Sequence, residues 1–330
     1  MYTIKNDWLI LEEYYNYNIF DICPIPENIH KIKFGWSFNC PITNIPHHIT
    51  HLHFGSCFNQ KIDDLPSSIT HIIFGYYFNQ KIDNLPESLT HLTLGYKFNQ
   101  YMNKLPLNLK RITFGYMYNK KTNKLPKNIT HVIFGHMFNK SIDILPVSLT
   151  KLVLGFDFNN TIKLPNNITH LKFGYAFNQS IDDLPNSITH LTLSCKFDQP
   201  IHKLPTNLTH LALGYSFNQI LPKLPESLTH LMTGWNFNKE LILPSNLKHL
   251  IFGRQFNQTI TLPKSLEILS FGGYPSHSDY IKSFNAYYLL EFILYKHPQK
   301  IAIMERCNIN KHNLHQRSLS LIDTLLMEKK

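Results

Sequence analysis

"LTHLTLGYKFNQ", residues 89–100, is one copy of a sentence that the chain repeats from about residue 29 to residue 258. In it Leu92 and Leu94 alternate with His91 and Thr93. A period of two over so few residues reads as a short strand. Set in register at the Leu-Pro pair, units begin at Ile25, Ile45, Leu65, Leu85, Leu105, Leu125, Leu145, Leu164, Leu184, Leu204, Leu224 and Leu243, with a truncated unit at Leu262. The period is 20 residues, shortened to 19 after the units at 145, 224 and 243. Each deletion falls between the last Ile or Leu and the next Leu-Pro, so that segment is a surface loop.

Twenty residues cannot hold a strand and a full helix, so one strand and a tight return is the content of a unit. Pro86 opens the unit where the chain must turn. Gly95 follows the strand, where a corner is expected to need a conformation that a Cβ opposes; Gly35, Gly55, Gly75 and Gly115 hold the same place, and Ser194 breaks the series. Phe98 and Met102 return the chain to the core. Asn99, beside the Phe, recurs in every complete unit except as Asp198. A short polar side chain at one place in each coil can bond main-chain groups of the next, which turns shielded from water require.

One unit cannot enclose its own apolar residues, but stacked units can, with strands pairing in parallel. The expected architecture is mainly β: a leucine-rich-repeat-like parallel β-solenoid of about twelve coils, roughly 60 Å long at about 4.8 Å per strand, with a helical C-terminal tail. Residues 1–24 read as an N-terminal cap, with a short helix or hairpin over 7–22. Residues 25–273 are the solenoid. Residues 274–330 are a helical cap or docking segment, with helices over 279–297 and about 317–328.

L-x-x-L-x-L, as in Leu89-Leu92-Leu94, is the leucine-rich-repeat strand signature. The second half of the unit departs from it, because Asn99 stands after Phe98 where the leucine-rich repeat would place an Asn at Lys97. With its "FNQxI…LP" pattern the unit resembles the FNIP repeat, named for a Phe-Asn-Ile-Pro core and found in amoebae such as Dictyostelium and in giant DNA viruses that infect them. The resemblance covers about 25–273. An AT-rich codon bias, visible as abundant Ile, Asn and Lys, suits either source, and a giant virus is the preferred one. Many members of the family carry an N-terminal F-box that recruits a ubiquitin ligase while the repeats hold a target. Only 24 residues precede these repeats, so the F-box is expected to be absent and the ligase link uncertain.

Composition bounds the function. The net charge is +10, and the repeats carry all of it because the two ends cancel. Spread over a long body without a basic run, this makes nucleic-acid binding the weaker alternative. Five cysteines (Cys23, Cys40, Cys57, Cys195, Cys307), odd in number and irregularly spaced, read as reduced, mostly buried thiols of an intracellular compartment, the cytoplasm of a host cell or a virion. The start lacks a secretory signal, and no stretch is long and apolar enough to span a membrane. Triplets such as Asn128-Ile129-Thr130 and Asn167-Ile168-Thr169 fall where the repeat puts Asn and Thr anyway and read as its by-products, not as glycan sites.

Two periodic surfaces remain as partner-binding candidates. The first is a column at the outward strand position, His51, His71, His91, His131, His170, His190, His210 and His230, extended by His249 and interrupted by Arg111 and Lys151. Adjacent imidazoles could hold metal or sense pH, but the interruptions and the absence of a carboxylate or Cys at fixed spacing favour a repeat residue stacked on its neighbours and bonded to the preceding Thr. The second is the residue after the Gly: Trp36, Tyr76, Tyr96, Tyr116, Phe156, Tyr175, Tyr215 and Trp235. Large amphipathic rings suit protein recognition, and the residue beyond them varies from unit to unit (Ser37, Cys57, Tyr77, Lys97, Asp157, Asn236). The sequence assigns no catalytic residue, metal site or cofactor, because no G-x-S-x-G, P-loop or HExxH is present. The expected function is a non-catalytic scaffold for protein–protein interaction, in host-target recognition by a giant virus. The alternative is a structural or virion-associated protein without a specific target.

Overall fold

The computed structural model describes residues 2–122, 125–142 and 144–271. The helices expected over 279–297 and 317–328 lie outside the described residues. Residues up to Phe177 form one compact unit and those from Asn178 a second. The first holds β1 (Tyr2–Lys5), β2 (Trp8–Leu11), β3 (Lys31–Lys33), β4 (His51–His53), β5 (His71–Ile73), β6 (His91–Thr93), β7 (Arg111–Thr113), β8 (His131–Ile133), β9 (Lys151–Val153) and β10 (His170–Lys172). The second holds β11 (His190–Thr192), β12 (His210–Ala212), β13 (His230–Met232), β14 (His249–Phe252) and β15 (Ile268–Phe271). β3 to β15 make about thirteen turns of a mainly β, parallel β-solenoid, one more than the twelve complete units because the truncated unit also supplies a strand.

Neighbouring strands pair residue for equivalent residue, as in His71↔His91↔Arg111. The residues expected to cap the first coil contribute to the sheet directly. β1 and β2 form an antiparallel hairpin over Tyr2–Leu11, and β2 then pairs in parallel with β3. Its turn residue Asn6 takes a positive φ of 56°, which a short polar side chain tolerates. Within the expected cap of residues 7–22, the helical content is one short 3-10 turn at Ile19–Asp21.

Each coil turns twice. Leu89 N–H donates to Pro86 O at 3.0 Å, closing the turn before β6, and Phe98 N–H donates to Gly95 O at 3.1 Å, closing the corner after it. The strand and the returning limb face each other across a dry core. Leu89, Leu92, Leu94 and Phe98 are all buried. The returning rings run in register through the first unit, from Phe38 through Phe58, Phe78, Phe98, Tyr118, Phe138 and Phe158 to Phe177, with centroids from 5.8 Å (Phe38–Phe58) to 6.3 Å (Phe158–Phe177) apart. The thiols are less buried than expected, since Cys23, Cys40 and Cys57 are half-buried and only Cys195 among the described cysteines is buried.

The reason for the corner glycine differs from the expected one. Gly95 has no left-handed φ. A Cβ built there would instead run into the carbonyl oxygen of Gly75, one coil earlier, and a Cβ on Gly115 would meet Gly95 O in the same way. The glycines allow close approach of stacked backbones. Two residues further along, the backbone is bonded again: Lys97 N–H donates to Tyr76 O at 2.9 Å, as Met117 N–H does to Tyr96 O.

Asn99 does what its recurrence predicts. Its N–H donates to Asn79 Oδ1 at 2.9 Å, and its own Oδ1 accepts from Asn119 N–H at 3.1 Å. The ladder begins with Asn16, which accepts from Asn39 N–H, and in the second unit Asp198 takes its turn, accepting from Asn218 N–H. A carboxylate oxygen can replace the amide oxygen because only an acceptor is needed.

Two substitutions test this packing. Gly95→Ala should lower stability by about 2 kcal/mol or more, since an added methyl group cannot be housed without separating two coils. Tyr118→Phe should raise it by about 1 kcal/mol, because the Tyr118 hydroxyl is buried without a hydrogen-bond partner and removing an unsatisfied polar group relieves its desolvation cost. Thermal melting of the two proteins checks both signs.

Candidate functional site

Two surfaces follow from the coil: the outward side of the strands and the corner after the glycine. On the strand side, β6 has the burial pattern half-exposed, buried, half-exposed, so His91 and Thr93 flank the core residue Leu92. The imidazoles stack. His51–His71 and His71–His91 have centroids 4.0 and 4.2 Å apart with planes within 9° and 10° of parallel. In the second unit His190–His210 and His210–His230 repeat this at 4.1 and 4.0 Å, and His249 tilts by 58° at the end of its column.

The preceding threonine sets the tautomer. Thr90 Oγ1 lies 3.0 Å from Thr70 O and 2.9 Å from His91 Nδ1. A carbonyl can only accept, so the single hydroxyl hydrogen goes to Thr70 O and His91 Nδ1–H donates to the hydroxyl. The same pair of contacts recurs at Thr50–His51, Thr130–His131 and Thr209–His210. Each Nε2 therefore carries its lone pair away from the coil. Because the rings are parallel, these lone pairs run side by side instead of converging on one point. Among the described residues no three His, Cys, Asp or Glu side chains group as metal ligands would.

Burial in the column favours the neutral form of several of these imidazoles. Burial pushes the His71 imidazole down to about 4, helped by His51 and His91 on either side. His51, His91, His131 and His170 are lowered as well, first by burial and then by neighbouring cations: Lys31 for His51, Arg111 for His91 and His131, and Lys151 for His131 and His170.

At the corner, Tyr76, Tyr96, Tyr116, His136, Phe156 and Tyr175 form one stack with centroids 4.2–4.5 Å apart. His136 completes the row where the sequence stripe leaves a gap. Trp36 is not in this stack, because Ser56 lies between it and Tyr76, and its side chain is the most exposed of the stripe. Tyr215 and Trp235 stack at 5.6 Å in the second unit, where the Arg254 guanidinium caps Trp235. Each ring covers the face of the next, so solvent meets edges and hydroxyls.

Sequence reasoning marked the position beside the stripe as variable, Tyr77 included, but did not name Met117 or Met137. Tyr77, Met117 and Met137 are exposed and adjoin the exposed Tyr76, Tyr96 and Tyr116 in a patch on the first unit, with Lys97 Nζ over the Tyr77 ring at 4.5 Å. Their signal was available as apolar residues in the one corner position that otherwise varies. The triplet asparagines are occupied: Asn128 Nδ2 donates to Leu107 O and Asn167 Nδ2 to Val147 O. The exposed His202, whose Nδ1 sits 2.8 Å from Asp182 Oδ2, belongs to a loop that Asp182 also caps through the N–H groups of His202 and Lys203. No helix among the described residues is long and apolar enough to cross a membrane.

Parallel strands in register, a close-approach corner and a side-chain ladder define a leucine-rich-repeat-like solenoid scaffold. FNIP repeat models match at residues 15–57, 58–97, 78–116, 118–157, 138–175, 158–196, 197–231, 217–242 and 237–274. The chain belongs to the FNIP repeat family. It is similar to the crystal structure of the giant-virus protein CroV588, described as a novel circular LRR protein, at 38% identity and a TM-score of 0.65, over 80% of this chain and 49% of that one. The chain thus spans less than half the length of that neighbour. It shares its fold with YopM from Yersinia enterocolitica WA-314, at 18% identity and a TM-score of 0.54, over 76% of this chain and 61% of that one. No curated protein matches it.

The histidine chemistry has a direct consequence for stability. An unfolded chain takes up protons near the usual histidine value of about 6.5, while the folded column resists them, so the unfolded state binds more protons and stability falls as pH falls. The melting temperature should be level above pH 6.5 and drop between there and the value near 4 for His71. His71→Thr should flatten the drop. A melting temperature that holds or rises through that window would contradict the neutral column.

Proposed function

We propose that this chain is a non-catalytic scaffold that holds a protein partner against the corner of its first unit. The observation that carries this reading is the patch of Tyr76, Tyr77, Tyr96, Tyr116, Met117 and Met137, all exposed, on a frame whose other recurring side chains are committed to joining coils. Tyrosine edges offer apolar contact and a hydroxyl at low entropic cost, and methionine adapts to the shape of a partner. Such a patch on a rigid scaffold fits a binding surface better than a drifted corner.

A viral setting is supported by the likeness to CroV588, and target recognition inside an infected amoeba is the role we assign. Non-catalytic action is supported by the commitment of each threonine hydroxyl beside an imidazole, as in Thr90 and His91, to a carbonyl of the preceding coil. Nucleic acid is the less favoured partner, because base stacking needs an open ring face and the corner rings cover one another.

Affinity capture from amoeba lysate tests this. The full chain should retain a protein that the Tyr96→Ser/Tyr116→Ser variant loses, by about tenfold or more for loss of two central aromatic contacts, with an unchanged melting curve. Equal retention by the variant, or retention that ribonuclease abolishes, would overturn the reading.

A further inference from the structure

The strand face of the first unit departs from its pattern at its first strand, β3 (His30, Lys31), and again across β7–β10. Elsewhere the position before the strand is chiefly Thr and the first strand position chiefly His, but across β7–β10 that pattern is broken by Lys110, Arg111 and Lys151, and Lys172 adds a cation at the variable third position. The segments 110–113, 130–133, 150–153 and 169–172 contain no Asp or Glu. Lys110 and Arg111 are exposed and Lys151 is half-exposed.

Two cations nearer the ends of the strand series are neutralised. Lys31 is paired with Asp7 at 2.9 Å in the first unit, and Lys248 with Glu267 at 3.0 Å in the second. Lys110, Arg111 and Lys151 form no ion pair among the described residues. His131, between Arg111 and Lys151 in the strand register, is held neutral by burial and by those two cations, so it adds no charge at neutral pH. Beside this charged row runs an apolar one, Ile133 and Val153, both half-exposed.

We propose that the β7–β10 strand face is a docking surface for an acidic, partly apolar segment of a protein partner, held by Lys110, Arg111, Lys151 and Lys172. This rests on the scaffold reading and adds to it a second surface and the chemistry of what binds there. Arg111 and Lys151 stand two strands apart, about 10 Å, which matches carboxylates at every third residue of a polyproline-II-like chain, about 9 Å apart on one face. The guanidinium of Arg111 accepts a carboxylate through paired N–H donors. The apolar row receives the side chains between the acids. A phosphate polymer would satisfy the cations but leave Ile133 and Val153 uncovered, so the acidic peptide is the better complement.

The repeat itself supplies the conservative test. Arg111→His/Lys151→His restores the column found in neighbouring coils and removes both charges at neutral pH while keeping the stack. The probe is a short fluorescent peptide with glutamate at every third position and leucine between, run against its glutamine counterpart and an oligothymidylate of equal charge. The native chain should bind the glutamate peptide, ignore the glutamine one, and lose about tenfold in affinity in the double variant, equivalent to roughly 1.4 kcal/mol, with unchanged melting. Binding should weaken with salt and persist in Tyr96→Ser/Tyr116→Ser. Three results would overturn the inference: no preference for glutamate, equal binding by the double variant, or tighter binding of oligothymidylate. If the lysate partner is still lost from the corner variant in any of those cases, the scaffold reading stands without this surface.

Discussion

Successive coils lie one β-strand spacing apart, and that closeness governs everything else in the molecule. At about 4.8 Å a corner residue has no room for a Cβ, which is why Gly95 faces the carbonyl oxygen of Gly75. At that separation a main-chain N–H of the returning limb cannot reach water and is met by the side chain of the coil before it. Asn79 accepts from Asn99, and Asn99 from Asn119. Thr90 closes the other side, its hydroxyl on Thr70 O. Ser88 Oγ does the same at the opening turn, donating to Ile69 O at 2.7 Å. Three polar ladders therefore run beside the apolar core: those of Asn and Ser satisfy backbone groups, and that of Thr adds a bond to a carbonyl that already accepts from two main-chain N–H groups.

Those ladders account for what looks functional at first. The histidines recur because a threonine hydroxyl, already given to a carbonyl, accepts Nδ1–H and because each ring covers the next. The asparagines recur as acceptors. What remains free to differ between coils is the corner beyond the aromatic ring and the few strand positions where a cation replaces Thr or His. Under the proposed function the recurring corner rings supply contact and departures from the repeat supply specificity, because the other recurring side chains are consumed by stacking.

Much of this was legible in the sequence. Alternation of Leu92 and Leu94 with His91 and Thr93 placed the strand, and the recurrence of Asn99 announced a ladder. The corner glycine was located correctly but explained wrongly: a sequence shows that a Cβ is excluded, not whether the backbone angle or the neighbouring coil excludes it. The end of the solenoid was less legible. β2 joins the sheet without the repeat signature because pairing needs backbone register, not a Leu-Pro or a Gly. Tyr77 was noted only as one of the varying corner residues and the exposed Met117 and Met137 escaped notice, since the adjacency of the three exists only once the coils are stacked. Arg111 and Lys151 were read as interruptions of a histidine column, and became a group only when the strand register placed them on either side of His131.

Amide hydrogen exchange on the full chain tests the central claim most directly. The N–H groups of Asn79, Asn99 and Asn119 lie in the returning limb, outside any strand. If side-chain acceptors of the preceding coil hold them, their exchange should be slowed to the level of the strand amides of β6 and β7, because all open only when coils separate. Exchange at the rate of an exposed loop at those three positions, with the strand amides still protected, would contradict the ladder and with it this account of how the coils are joined.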